Sequence, residues 1–137
     1  MKEIQMPYFT GTLPLHVEEK NLEAVLTAKI HQFTPLRGEA ELVQDALDIP
    51  IGAPPLRELS RGKRKVVVVT SDHTRAVPSK LTLPLLLKEI RAGSPEADIT
   101  ILIATGLHRA PTREEQLRMF GRDIVEHEHI AVNDAFR

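Results

Sequence analysis

The sequence predicts an α/β fold: a Rossmann-like parallel sheet with flanking helices, preceded by a small N-terminal β region, and incomplete as a domain. Three observations predict it. Val66 to Val69 is an unbroken run of valine, the kind of short β-branched run that a parallel strand buried on both faces requires. Asp98-Ile99-Thr100-Ile101-Leu102-Ile103-Ala104 is a second run of the same kind. Each run breaks into a polar loop that leads to a helical pattern, which is the strand–loop–helix order of a parallel sheet.

The elements follow in order. Ile4 to Phe9 alternates weakly, Thr10-Gly11-Thr12 is a turn, and Leu13, Leu15 and Val17 alternate again. This reads as two strands, with Pro7 and Pro14 confining them to edge positions. Leu22 to Ile30 fits a helix and a strand about equally, and His31 to Pro35 breaks it. Gly38 to Leu47 predicts a helix with Leu42, Val43, Ala46 and Leu47 on one face and Glu39 and Glu41 at its positive N-terminal end. Asp48 to Pro55 holds three prolines and a glycine in eight residues, a stiff extended connection. Leu56 to Leu59 is one helical turn, and Arg61 to Arg64 is an exposed turn into the valine strand.

Beyond the first polar loop, Leu83 to Ala92 predicts a helix packed on the sheet. Pro84 is tolerated there as a first-turn residue, Ser79 and Thr82 are candidate caps, and Gly93-Ser94-Pro95 is the stop. After the second loop, Thr112-Arg113-Glu114-Glu115 is a capping box for a helix to about Phe120, stopped by Gly121. Ile124 to Val132 is expected to return as a third strand. Residues 1–37 form the N-terminal β region and residues 38–137 the α/β portion, within one domain.

Composition narrows the function. The 137 residues are 42% apolar and 27% charged, with a formal charge of −1, an ordinary globular balance. Lys63-Arg64-Lys65 is the one short basic cluster, and aromatics are only 4% with no tryptophan. Nucleic acid is therefore not an expected partner. The absence of cysteine excludes disulfides, thiolate metal sites and a cysteine nucleophile, and fits a cytoplasmic protein. Met1-Lys2-Glu3 is followed by no apolar core of a signal peptide, and no apolar stretch is long enough to span a membrane. Gly-x-Gly-x-x-Gly, the P-loop and Gly-x-Ser-x-Gly are all missing.

If the two runs are parallel neighbours, their polar loops emerge at one sheet edge, where ligands of open α/β sheets bind. Asp72, His73 and Arg75 would then face Thr105, Gly106, His108 and Arg109 across one crevice. Arg75 is a planar fork for a carboxylate or phosphate. Thr74 and Thr105 offer hydroxyls, and Gly106 lets backbone approach a ligand. His108 could shuttle a proton, since an imidazole titrates near neutrality, and Asp72 could orient an imidazole, neutralise Arg75 or bind ribose hydroxyls. Each has a plainer reading. Asp72 caps the next turn, Arg75 is solvated or pairs with Asp72, and His108 is a loop residue. His127 and His129, on one strand face of His127-Glu128-His129, would offer a metal two imidazoles, but a solvated strand face is the preferred reading. A hydrolase would have Ser71 as its only nucleophile candidate.

Ser71-Asp72-His73-Thr74-Arg75-Ala76-Val77-Pro78, followed by Ala104-Thr105-Gly106-Leu107-His108-Arg109-Ala110-Pro111-Thr112, resembles the nickel-pincer lactate racemase family. Ala46-Leu47, Pro50-Ile51-Gly52 and Pro55-Leu56 fit the segment that precedes the first motif. Ala76 stands where a proline is common, and Asn133-Asp134-Ala135 lacks an expected histidine. The resemblance implies a racemase or epimerase of 2-hydroxy acids such as lactate, working by proton-coupled hydride transfer to a nickel-pincer mononucleotide. It implies that Asp72, His73, Thr74 and Arg75 form the cofactor-contacting loop, that Arg75 also steadies the substrate carboxylate, and that His108 is one of two acid/base histidines. It also implies that the anchoring lysine, the nickel histidine, the second catalytic histidine and a C-terminal substrate domain lie outside this sequence. The chain, ending Asp134 to Arg137 just after a strand, is expected to be a fragment without metal ligands and inactive by itself. The alternative from another class is a non-catalytic anion- or nucleotide-binding module. A bare sheet edge would favour homo-oligomers.

Overall fold

The computed structural model describes residues 1–135, the side chain of His31 excepted. The expectation for the last residues of the chain falls partly outside them. The chain divides into two compact units, Met1–Leu36 and Arg37–Arg137.

The first unit is built on an antiparallel hairpin of β1 (Lys2–Tyr8) and β2 (Gly11–Val17). Tyr8 pairs with Gly11 and Lys2 with Val17, so Phe9 and Thr10 form the turn. Phe9 adopts φ +50, within the left-handed region that few non-glycine residues enter. Both strands are edges, which is how Pro7 and Pro14 fit within them. Leu13 and Leu15 alternate as expected but remain exposed. Leu22 to Ile30 is neither helix nor strand. Only short 3-10 turns form at Glu19–Asn21 and Lys29–Gln32. Val25, Leu26 and Ile30 lie exposed, so no packing rewards either regular structure there.

The second unit is a three-stranded parallel sheet in the order β3 (Lys65–Ser71), β4 (Asp98–Ala104), β5 (His129–Val132). Val68 pairs with Ile101, and Ile101 with Ile130. Helices α3 (Ser79–Gly93) and α4 (Arg113–Phe120) form the crossovers. A further helix, α5 (Arg122–His127), precedes β5. One face of the sheet makes the core: Ile99, Ile101 and Ile103 pack with Leu83, Leu87, Ile90, Phe120, Ile124 and Val125.

The valine strand is not buried on both faces. Val66 and Val68 face the core, whereas Val67 is 58% exposed and Val69 64%. β3 is an edge strand, and among the described residues its second face carries no covering helix.

Helix α1 (Glu39–Asp48) starts where the sequence places it. The Gly38 N–H donates to the Glu41 carboxylate (3.0 Å), closing its first turn. Its inward side is Val43, Gln44 and Leu47 rather than Leu42 and Ala46, which are exposed. The shift of one position brings Gln44 to Glu89. That buried carboxylate accepts from Gln44 Nε2 (3.2 Å) and from Arg57 Nε (2.8 Å), joining α1, the single turn α2 (Leu56–Leu59) and α3. A Cβ at Gly93 would collide with the Arg57 carbonyl and Ser60 Oγ, so glycine is needed where α2 crosses α3.

Helix α3 begins four residues before the expected Leu83. Neither Ser79 nor Thr82 caps it; Ser79 Oγ instead meets Thr70 Oγ1 at 3.3 Å. Pro84 thus lies inside the helix, not in its first turn. It faces solvent, where water can satisfy the carbonyl it leaves free.

The segment expected as one strand from Ile124 is split. Gly121, at φ +86, ends α4 and opens α5, which buries Ile124 and Val125. This separates the His127-Glu128-His129 triplet. His127 ends α5 and bonds the Asp123 carbonyl (2.9 Å), while His129 begins β5 and meets Thr100 Oγ1 (3.1 Å). They share no strand face, and the described residues contain no group of three potential ligands suited to a metal. Among the described residues no helix is long and apolar enough to cross a membrane.

Candidate functional site

Because β3 and β4 are parallel and in register, Ser71 lies beside Ala104. The two polar loops therefore leave the sheet together. They enclose a cleft of about 340 Å³ lined by Ser71, Asp72, Arg75 and the segment from Ala104 to His108. Here the chain stops pairing. Gly106 takes φ +57, and the His108 N–H bonds back to the Thr105 carbonyl at 3.0 Å. This tight turn brings His108 across to the first loop. Thr105 is buried, and its Oγ1 donates to the Asn133 carbonyl just past β5 (2.9 Å).

Asp72 is the hub. It is almost fully buried, and its two oxygens do different work. Oδ1 accepts from the Thr74 N–H (3.0 Å) and the Thr74 hydroxyl (2.6 Å), an Asx turn that shapes the loop. Oδ2 lies 2.6 Å from His108 Nδ1. Thr74's two bonds and His108 together outweigh burial, and hold the Asp72 carboxyl well below the usual carboxylate range. An ionised carboxylate only accepts. His108 Nδ1 must then donate, which leaves Nε2 as the ring nitrogen open to take a proton when the imidazole is neutral. The His108 side chain is 48% exposed, and it borders a second cleft of about 490 Å³ with Arg109, Val132 and Asn133. Asp72 thus shapes the turn with one oxygen and meets the imidazole with the other.

Arg75 does not pair with Asp72 through its side chain. Only its backbone N–H reaches the Asp72 carbonyl, at 3.3 Å. The guanidinium is exposed at the cleft and makes no hydrogen bond or ion pair among the described residues. A planar fork left without a protein anion is suited to a carboxylate or phosphate ligand.

His73 points elsewhere. It lines a neighbouring cleft with Glu115, Arg118 and Met119. Its Nε2 lies 3.9 Å from Glu115 Oε1, and its Nδ1 is buried with no hydrogen-bond partner. Asp72, Thr74, Arg75 and His108 therefore form one group, with His73 set apart from it.

Glu115 has more to do than the capping box suggests. Thr112 and Glu115 cap α4 reciprocally, at 3.3 and 2.7 Å. The same carboxylate receives both terminal nitrogens of Arg109, at 2.8 and 2.7 Å. The Arg109 fork, followed by the Thr112 N–H, lowers its pKa from 4.5 to about 2. The sequence signal was available: a cap glutamate with an arginine six positions earlier, next to the candidate histidine.

The lactate racemase N-terminal domain family matches residues 8–137. A lactate racemase of Thermoanaerobacterium thermosaccharolyticum is 42% identical over 98% of this chain, and one of Lactiplantibacillus plantarum is 40% identical over 97%. The chain spans only 32% and 31% of those proteins. The solved structure of the lactate racemase apoprotein from T. thermosaccharolyticum superposes with a TM-score of 0.85 at 41% identity. That match covers 97% of this chain and 30% of the other.

Proposed function

The chain belongs to the lactate racemase family, as its N-terminal domain, and from that premise we propose that it supplies the proton-handling histidine and the anion-holding arginine of a 2-hydroxyacid racemase. The observation that carries this reading is the 2.6 Å bond between Asp72 Oδ2 and His108 Nδ1 at the mouth of a cleft that also holds an unpaired Arg75.

Inverting a 2-hydroxy acid at its carbinol carbon by an oxidation–reduction route requires two things of the protein. The hydroxyl proton must leave as the carbon is oxidised and return as it is reduced. The substrate must also stay in place between the two events. His108 Nε2 is the acceptor and donor of that proton. Asp72 fixes the ring's tautomer and stabilises the imidazolium that forms. Arg75 pairs with the carboxylate through two parallel hydrogen bonds, which fixes orientation as well as position. Thr74 acts through Asp72, holding that carboxylate in the turn.

The donor chemistry of this edge fits the nucleotide portion of a nickel-pincer mononucleotide. The Arg75 guanidinium has donors beyond the two that a carboxylate takes and can reach a phosphate with them, the Asp72–Thr74 turn shapes the loop that faces the nucleotide, and Gly106 leaves its backbone open to approach. His73, in the adjoining cleft, is the remaining member of the proposed cofactor loop. When bound, the cofactor supplies the hydride acceptor at the carbinol carbon. This domain is assigned the organic part of the cofactor and the proton.

Titration of this chain with L-lactate, and separately with a nicotinate mononucleotide, tests the binding half. The Arg75 and His108 resonances are expected to shift with each ligand, and loss of the lactate response in Arg75→Ala is expected. Chiral analysis of D- and L-lactate after incubation with the cofactor-loaded protein carrying this domain tests the chemistry. Ligand binding without interconversion would favour the non-catalytic module; neither binding nor turnover would overturn both.

A further inference from the structure

We infer that Glu115 is a positioning residue: through Arg109 it holds the loop after β4 so that His108 meets Asp72. The inference rests on the reading of His108 as the proton carrier, but its test needs no turnover.

The His108 loop is fixed on either side of the histidine. Before it, the buried Thr105 hydroxyl is bonded to the Asn133 carbonyl. After it stands Arg109, whose side chain is 60% exposed; beyond an Nη1 bond to the adjoining Ala110 carbonyl (3.0 Å), its fork is held by Glu115 alone among the described residues. Glu115 is itself held from more than one side. It occupies the first turn of α4, its side chain is only 13% exposed, and its Oε2 also accepts the Thr112 N–H. The same carboxylate faces His73 from the other loop at 3.9 Å. One group thus lies between the two loops whose alignment the Asp72–His108 bond requires. A bidentate pair fixes direction as well as distance, so Arg109 sets where its neighbour, His108, leaves the turn. Charge adds to this. The hydrogen bonds to the Glu115 carboxylate, chiefly, and the Asp72 charge more weakly, both favour the Arg109 cation. Removing Glu115 would release a guanidinium beside the carboxylate that His108 depends on.

Glu128 provides a control. Its side chain is equally shielded, at 13% exposed, and accepts from Arg91 at 2.8 Å, but outside both site clefts. Glu128→Gln removes a comparable charge pair without touching the loop.

The experiment follows the ring nitrogens and the Nδ1–H of His108 by NMR in the full 137-residue chain, with thermal melting alongside. In Glu115→Gln the His108 Nδ1–H is expected to exchange with solvent about tenfold faster or more, as loss of a charge-assisted hydrogen bond implies. Arg109→Gln, which leaves the α4 cap in place, is expected to do the same. The double variant is expected to be no worse than either single one, because both remove one interaction. Glu128→Gln is expected to leave His108 unchanged whatever it costs in melting temperature. If Glu115→Gln does not fold, Arg109→Gln decides. An unaltered His108 signal in Arg109→Gln, additive effects in the double variant, or an equal effect from Glu128→Gln would overturn the inference.

Discussion

Two histidine–carboxylate pairs stand at the same sheet edge, and they are built differently. His108 is half exposed and sits 2.6 Å from an oxygen of Asp72 that no other side chain uses. His73 is mostly buried and sits 3.9 Å from Glu115, whose oxygens are already taken by Arg109 and the α4 cap. The first carboxylate has capacity for one imidazole and directs it. The second already carries the Arg109 fork and the Thr112 N–H, so its oxygen nearest His73 is shared with a guanidinium. A histidine next to a carboxylate is thus not enough to mark a candidate base. What differs is whether the imidazole is the sole partner of its carboxylate oxygen and whether the far ring nitrogen can reach a ligand.

The comparison breaks most visibly on removal of the exposed imidazole. In the cofactor-loaded protein carrying this domain, His108→Ala is expected to lower lactate interconversion about 10²–10⁴-fold, the usual share of a positioned acid/base. His73→Gln, at the cofactor loop, is expected to cost far less once the cofactor is loaded, its effect falling on cofactor retention instead. Asp72→Asn keeps the shape but allows the wrong tautomer. A loss of the same order, up to about 10⁴-fold, is expected there, because the wrong tautomer leaves Nε2 already protonated. Chiral analysis of the product measures all three. If His73→Gln proves the more damaging, the roles of the pairs are reversed.

The smallest effect is on stability in acid. Folding lowers the Glu115 pKa from 4.5 to about 2. Its contribution is therefore complete above pH 4.5 and is lost as the pH falls towards 2. Asp72 is also depressed, with the same sign, and its loss extends to lower pH. The melting temperature of this chain is expected to fall across that window. Glu115→Gln should flatten the fall between pH 4.5 and 2, and Asp72→Asn should flatten its lower end. A melting curve indifferent to pH there would mean that neither carboxylate is held in its charged form by the fold.

The parallel sheet and the edge that carries the site were legible because they depend on short-range signals. Two β-branched runs, each breaking into a polar loop, sufficed, and the capping box at Thr112 located α4. What sequence could not give were facts about neighbours. Val67 and Val69 look like a buried strand in sequence, yet lie on the bare face of an edge strand. Ile124 and Val125 are as apolar as a strand, but Gly121 turns the chain so that a helix buries them. That helix also parts His127 from His129. Within the site, Asp72 and His108 were legible as partners once the strands were placed side by side. The separation of His73 was not, since which way a loop side chain turns depends on Glu115, a residue on another element.

The most direct test of the pair is the tautomer of His108 in the unmodified chain, read from the nitrogen shifts of its ring at a pH where the imidazole is neutral. The structure requires the proton on Nδ1, shared with Asp72, and a bare lone pair on Nε2. A proton found on Nε2, with Nδ1 bare, would contradict it.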